Sequence, residues 1–357
     1  MPENPQDYAL VVGLNDYPDY GGGGRSLKGA IRDAEKFAKW LRDTETGGGL
    51  PPNNVKLITS TAAPLAPAQD QIDDALSEIR QDAENQPIRR LYVYFSGHGH
   101  VSGESRHDVA LCLPRWSRDR RNAALSSSRY LAYLEKCTPF TEIVMFLDCC
   151  RVRQVAAIGL PSNLDCPLAV GVERKTMVAY ASEFLKPAFE ATAPHGGDNA
   201  AGEDDSASAA GEDDEVRGHF TAALLAGLRA GAARVEGGAT AHTLKRYLEA
   251  NVERIAKAAG HIQRPQIPLD MKDAEADAMV FGSALPEANV EIVFRAGHAG
   301  PIELIGPTAD VLKRDDVATG PWRLRLEKGL HQLRDAGTNE ERTLPFVPTA
   351  EVTRVEF

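Results

Sequence analysis

Two residues in this 357-residue chain, His98 and Cys150, sit where covalent chemistry could be done. A thiol attacks a carbonyl only as thiolate, and a free thiol keeps its proton up to a pKa of about 8.5. A histidine beside it can take that proton and later protonate a leaving amine. Each candidate follows an apolar run: residues 91–96 lead into Gly97-His98-Gly99, and residues 143–148 lead into Cys149-Cys150-Arg151. The glycines permit a tight loop and leave the Gly99 amide free to face a developing oxyanion with the amide of Cys150; such donors contribute on the order of 3 kcal/mol each. A metal cluster built from His98, His100, Cys149 and Cys150 lacks a repeated CxxC or HxxxH spacing. Gly21–Gly24 is not followed by GK[ST], which argues against a phosphate loop.

The two residues lie 52 positions apart, so the fold must bring them together. Residues 8–13, 55–59, 91–96, 143–148 and 176–180 read as short, mostly buried strands. Between them, 27–42, the stretch marked by Ile72, Ala75, Leu76 and Ile79, and 129–137 show helical spacing. Such alternation predicts an α/β fold with a mostly parallel sheet flanked by helices, whose chemistry gathers at the carboxyl ends of the strands. Helices are expected again at 219–230 and 243–259, with an edge strand at 278–281. From about residue 286 apolar residues alternate in runs at 290–294, 302–305, 322–326, 330–334 and 352–357, several separated by Gly-Pro pairs. The division expected is a domain over 1–285, with a mobile acidic loop at 191–217, and a small all-β, sandwich-like domain over 286–357.

Composition narrows the function. The net charge of −11 argues against nucleic acid as a partner. Nine acids between Pro187 and Val216 account for most of it, leaving about −2 elsewhere. No apolar run reaches the ~18 residues of a membrane span, and the first residues do not read as a signal peptide, so a cytoplasmic location without membrane contact is expected. Five cysteines without framework spacing are expected to be free thiols there. Trp40, Trp116 and Trp322 read as packing residues.

Tyr92-Val93-Tyr94-Phe95-Ser96-Gly97-His98-Gly99 resembles the histidine motif of caspases, metacaspases and paracaspases, and Leu147-Asp148-Cys149-Cys150-Arg151 resembles their cysteine motif. Residues 9–15, 27–34 and 218–225 are similar to flanking segments of metacaspases. The resemblance, which takes in bacterial caspase homologues, covers about 280 residues. It implies a caspase-like fold and a cysteine-type endopeptidase, with Cys150 as nucleophile, His98 as acid/base and Cys149 turned into the sheet. Aspartate at 148, as in metacaspases, implies cleavage after Arg or Lys. The pocket would be formed by Asp148, Asp33 and the Ser96 hydroxyl, with Leu27 where caspases place an arginine. Residues 179–182, including Ser182, are similar to the segment that pairs with extended substrate. The implied partners are protein or peptide substrates with a basic residue before the cut, together with an activator or small signal molecule. No metal ligand set is implied, and calcium dependence, found in many metacaspases, is left open. Arg174–Lys175 and Arg217 are candidate self-cleavage sites. The C-terminal module loosely resembles prealbumin-like or PEGA-type domains, and a role in bacterial defence is suggested by association alone. The competing reading is a catalytically idle caspase-like scaffold or ligand-binding module.

Overall fold

Alternation along the central strands decides the architecture. In β1 (Tyr8–Gly13), Tyr8, Leu10 and Val12 belong to one hydrophobic cluster, while Ala9 and Val11 belong to another. The same division holds in β3 (Arg90–Ser96), with Leu91, Val93 and Phe95 on one side and Tyr92 and Tyr94 on the other. In β4 (Glu142–Asp148), Ile143, Met145 and Leu147 oppose Val144 and Phe146. A strand apolar on both faces must be covered on both faces, and these are.

The structure, a computed structural model, describes residues 4–20, 26–84, 88–102, 106–166, 173–192, 216–232, 238–282, 288–295, 301–307, 309, 311–315, 321–326, 329–338, 340–347 and 352–357. Together with β2 (Val55–Thr59), β5 (Lys175–Tyr180) and β6 (Leu269–Asp270), these strands form a six-stranded sheet in the order β6-β5-β4-β3-β1-β2. All neighbours run parallel except the β6 edge. One face is covered by α2 (Gln69–Ala83) and α3 (Ser127–Cys137). The other is covered by α1 (Ala30–Arg42), α4 (His219–Ala226) and α5 (Ala241–Ala258).

Several expectations need correction. The edge of the sheet is Leu269–Asp270; Val280–Phe281 pairs instead with Ala239–Thr240. Residues 99–102 and 152–157, directly beyond the two motifs, join Val109–Cys112 and Ala124–Ser126 in a second sheet that alternation did not reveal. Most of the acidic segment, residues 193–215, lies outside the described residues. Its ends do not belong to a loop: Glu190–Thr192 and Val216–Gly218 form an antiparallel pair.

The cysteines also depart from expectation. Cys137 at the end of α3 is bonded to Cys166, 29 positions on, with Cα atoms 4.8 Å apart. Cys112, Cys149 and Cys150 remain thiols. Cys166 returns to α3 because its loop is tied to α2: Gln69 donates to the Pro161 carbonyl at 2.6 Å and Arg80 to that of Asp165 at 2.9 Å. A pairing made by such an excursion leaves no local spacing to read.

C-terminal strands form a three-stranded sheet and a four-stranded antiparallel one around a third cluster that includes Val290, Ile292, Leu304, Trp322, Leu333 and Phe346. The expected boundary near 285 falls outside the described residues. Val311–Asp315 and Glu341–Phe346 are additional strands. Pro345 hides the second, and it is tolerated because that strand lies at a sheet edge.

Candidate active site

Register brings the two motifs together. Ser96 and Asp148 are opposite each other at the ends of adjacent parallel strands, and Gly97 N donates to the Asp148 carbonyl at 3.2 Å. His98 and Cys150 each follow two residues later. A Cβ added at Gly99 would lie 2.6 Å from the Cys150 carbonyl oxygen and 2.7 Å from Cys149 Sγ, so the loops touch backbone to backbone and only glycine fits. Cys149 continues the Leu147 side of β4 into the core and is 2% exposed, whereas Cys150 is half-buried.

The Cys150 sulfur lies under residues 187–190. It accepts the Ala188 N–H at 3.2 Å, and its own S–H is directed to the Ala188 carbonyl at 3.3 Å. Burial pushes the thiol's pKa up, the Ala188 N–H pulls it back, and the charge of Asp148 raises it again. In this arrangement the sulfur keeps its proton. Phe189 anchors the covering segment: its N–H donates to Gln263 Oε1 at 2.9 Å and its carbonyl accepts from His219 N at 3.1 Å. The imidazole of His98 lies among aromatic rings, 3.9 Å from the Tyr20 centroid and 4.7 Å from that of Tyr17.

Asp148 has the parity of Val144 and Phe146, so it faces the side covered by α1 and α4. Asp33, in the first turn of α1, is on that side too, and the two are 7% and 1% exposed. Asp33 Oδ2 accepts the Gly218 N–H at 2.7 Å; its Oδ1 is buried with no hydrogen bond. Asp148 Oδ2 accepts from Thr221 Oγ1 at 2.6 Å and Thr221 N at 3.2 Å, and Tyr94 donates to Thr221 Oγ1 at 2.6 Å. Ser96 is hydrogen-bonded to the same tyrosine. Burial, then the charge of Asp148, raises the Asp33 pKa well above the usual carboxylate range. Burial raises that of Asp148 to about 6; Thr221 pulls it down and Glu190 pushes it up. Gly218 is the seal of this acidic corner, because a Cβ there would lie 2.3 Å from Asp148 Oδ2.

Sequence reasoning assigned no role to several residues around the acids and the sulfur. Glu190 looked like part of a solvated acidic run, yet its carboxylate accepts Lys28 N at 3.0 Å and Gly29 N at 2.9 Å and is a third acid acting on the corner. Ala188 carried no signal outside the fold, and Thr221 only that of lying in the 218–225 resemblance, with no role attached. Arg151 is buried and holds the loop after β5, donating to the Ser182 carbonyl at 3.1 Å and Gln266 Oε1 at 2.6 Å.

The segment expected to pair with substrate is already engaged. Tyr180 exchanges backbone hydrogen bonds with Gln266, Ala181 N donates to Leu147 O, and the fully buried Ser182 donates its hydroxyl to Lys186 O at 3.0 Å. A strand that already has neighbours on both sides has no free edge to offer a peptide. Segment 187–190 is the backbone that lies against the sulfur.

Among the described residues no cluster of three or more His, Cys, Asp or Glu is arranged to hold a metal, and no helix is long and apolar enough to cross a membrane.

Comparison with known proteins agrees with the motifs. The chain is 30% identical over 236 residues to a probable protease from a Desulfuromonadales bacterium; the match covers 63% of this chain and spans about a quarter (26%) of that relative's length. Solved structures that overlay on it include a protein from Geobacter sulfurreducens (TM-score 0.48, 16% identity, 78% of this chain, 99% of the other). Another is caspase-1 from Spodoptera frugiperda (TM-score 0.45, 15% identity, 79% and 92%). The family model described as the caspase domain matches residues 6–275, a span that contains both motifs and the acidic corner, and the chain therefore belongs to the caspase-domain peptidase family.

Proposed function

We propose that the chain is a cysteine endopeptidase that cleaves after arginine or lysine, with Cys150 as nucleophile and His98 as acid/base. The observation that carries this reading is the acidic corner beside the sulfur. Asp33 and Asp148 are buried together without a neutralising ion pair in the described contacts, Asp33 Oδ1 lacks any donor, and Glu190 adds to the charge. Buried like charges are costly, and a guanidinium or ammonium entering between them would replace that cost with charge-assisted hydrogen bonds.

His98 would take the Cys150 proton as the sulfur attacks the carbonyl carbon of the basic residue. It would return a proton to the departing amine, leaving an acyl-enzyme that water hydrolyses with His98 as base. The Gly99 and Cys150 amides are the proposed oxyanion donors. Because Ala188 covers the sulfur, segment 187–190 must shift when substrate binds.

The same specificity suits self-cleavage after Arg217. That residue flanks Gly218, its charge pulls the Asp33 pKa down, and its Nε is buried without a hydrogen bond. Arg174–Lys175 is a poorer candidate for cutting in cis, because Lys175 opens β5 at the far end of the sheet, about 20 Å from the strand ends. A substrate library varied at the basic position tests the reading: Arg and Lys should be cleaved by wild type and by neither Cys150→Ala nor His98→Ala. No cleavage by wild type, with Cys150 alkylated no faster than Cys112, would identify an idle scaffold instead.

A further inference from the structure

The acidic corner explains what could be held but not what fixes the plane of the His98 ring. Two aromatic rings from the loop after β1 lie against it. Tyr20, 7% exposed, lies with its centroid 3.9 Å from that of His98 at an interplanar angle of 14°. Tyr17 O–H donates to the Cys112 carbonyl at 3.0 Å, and its oxygen accepts the His98 backbone N–H at 3.1 Å. The same Tyr20 ring is parallel to His100, and its hydroxyl is 2.9 Å from His100 Nε2. His100 is 1% exposed, and its Nδ1 faces the Val152 carbonyl at 3.3 Å.

A carbonyl can only accept, so Nδ1 carries the His100 hydrogen and Nε2 accepts the Tyr20 O–H. Burial lowers the His100 pKa, in keeping with that neutral form. The chain of contacts runs from His98 through Tyr20 and His100 to Val152, two residues beyond Cys150. It ties the histidine loop to the cysteine loop from the side opposite the acids.

We infer that Tyr20 is a positioning residue for His98: its ring holds the imidazole plane, and its hydroxyl, braced through His100 to Val152, fixes that ring relative to the cysteine loop. This rests on the proposed Cys150–His98 chemistry. The phenol face also favours the ring when it becomes a cation, as it does during proton transfer, so the contact strengthens on the way to the transition state.

Steady-state cleavage of an arginyl peptide by the full chain tests it. Tyr20→Leu should lower kcat roughly 10- to 100-fold, the scale of a misplaced catalytic group, with KM within about twofold of wild type. Tyr20→Phe, which keeps the ring and loses the brace, should lose less than about fivefold in kcat. Tyr20→Met, which fills the space without a ring, should match Tyr20→Leu and stands in if that variant does not fold. Wild-type kcat in Tyr20→Leu or Tyr20→Met overturns the inference. So does Tyr20→Phe as slow as the ringless variants, or a loss confined to KM. His98→Ala and Cys150→Ala are measured alongside: if either retains turnover, the underlying chemistry fails, whereas two dead controls beside a fully active Tyr20→Met refute the positioning role alone.

Discussion

Buried carboxylates occur in two kinds of surroundings in this molecule. Asp73, on α2 and 3% exposed, is saturated with neutral donors: Tyr130 O–H and Ser162 Oγ at 2.8 Å and Asn163 N at 3.0 Å. Asp7, 1% exposed, is neutralised by Arg89 through two bonds of 2.8 and 2.6 Å. Asp33 and Asp148 are equally enclosed, yet they face each other, and one Asp33 oxygen has no donor at all. Where a carboxylate serves only the fold, its surroundings satisfy it; the strand-end pair feels the charge of Arg217 on Asp33 but, among the described contacts, has no ion pair of the Asp7–Arg89 kind. That ion pair is what a bound basic side chain would supply.

Neutralising one acid of each kind should give opposite results. Asp148→Asn should reduce kcat/KM for an arginyl peptide by about 10³-fold, because removing one member of a desolvated charge pair costs several kcal/mol. Equal cleavage by the variant and wild type would abolish the distinction between the two kinds of acid. Gly218→Ala should be nearly as damaging to arginyl cleavage, roughly 10²-fold, since its methyl would enter the space of Asp148 Oδ2.

Stability should move in the other direction. With a folded pKa of about 6 against an unfolded value near 4, Asp148 binds its proton more tightly in the folded state. Its destabilising contribution is absent below about pH 4, grows as pH rises to about 6, and stays constant above. At pH 7.5 the Asp148→Asn variant should therefore be more stable than wild type by roughly 2–3 kcal/mol, whereas Asp73→Asn should lose about 1–3 kcal/mol with its donors. Chemical denaturation of the two variants decides this, and a loss in both would erase the contrast. The same titration predicts that the inhibition constant of a small guanidinium compound rises as pH falls through about 6, and that the dependence is weaker in Asp148→Asn, where Asp33 is the acid of the corner still raised by burial.

The smallest effect concerns the neighbouring thiols. Cys149→Ala should keep kcat within a few fold of wild type while losing about 1–2 kcal/mol of stability, because Cys149 is packed in the core. A dead Cys149→Ala variant beside an active Cys150→Ala would exchange their roles.

Much of this was legible in the order of residues. Strands with apolar residues at every position announce a sheet covered on both faces, and the resemblance to the caspase cysteine motif separated Cys149 from Cys150; that Asp148 shares a face with Tyr94 came from the register of the strands. His98 and Cys150 were found because each follows a buried run where a parallel sheet exposes its loops, and Asp148 because the residue before the cysteine pair resembles that of metacaspases. The partners that act on them were not: Glu190 lay in a composition-biased stretch, and Ala188, Thr221 and Tyr20 are ordinary residue types at unremarkable spacings. The Cys137–Cys166 bond and the second sheet also depended on chain returns that leave no periodic trace.

The sequence by itself determined which groups could react and which strand ends would carry them, because alternation and breaker residues act over a few positions. Tertiary structure alone decided how those groups are tuned: the cover over the sulfur, the missing donor on Asp33, the aromatic wall behind His98. These properties come from desolvation and contacts between segments tens to hundreds of residues apart, whose strength depends on distances that no local pattern encodes.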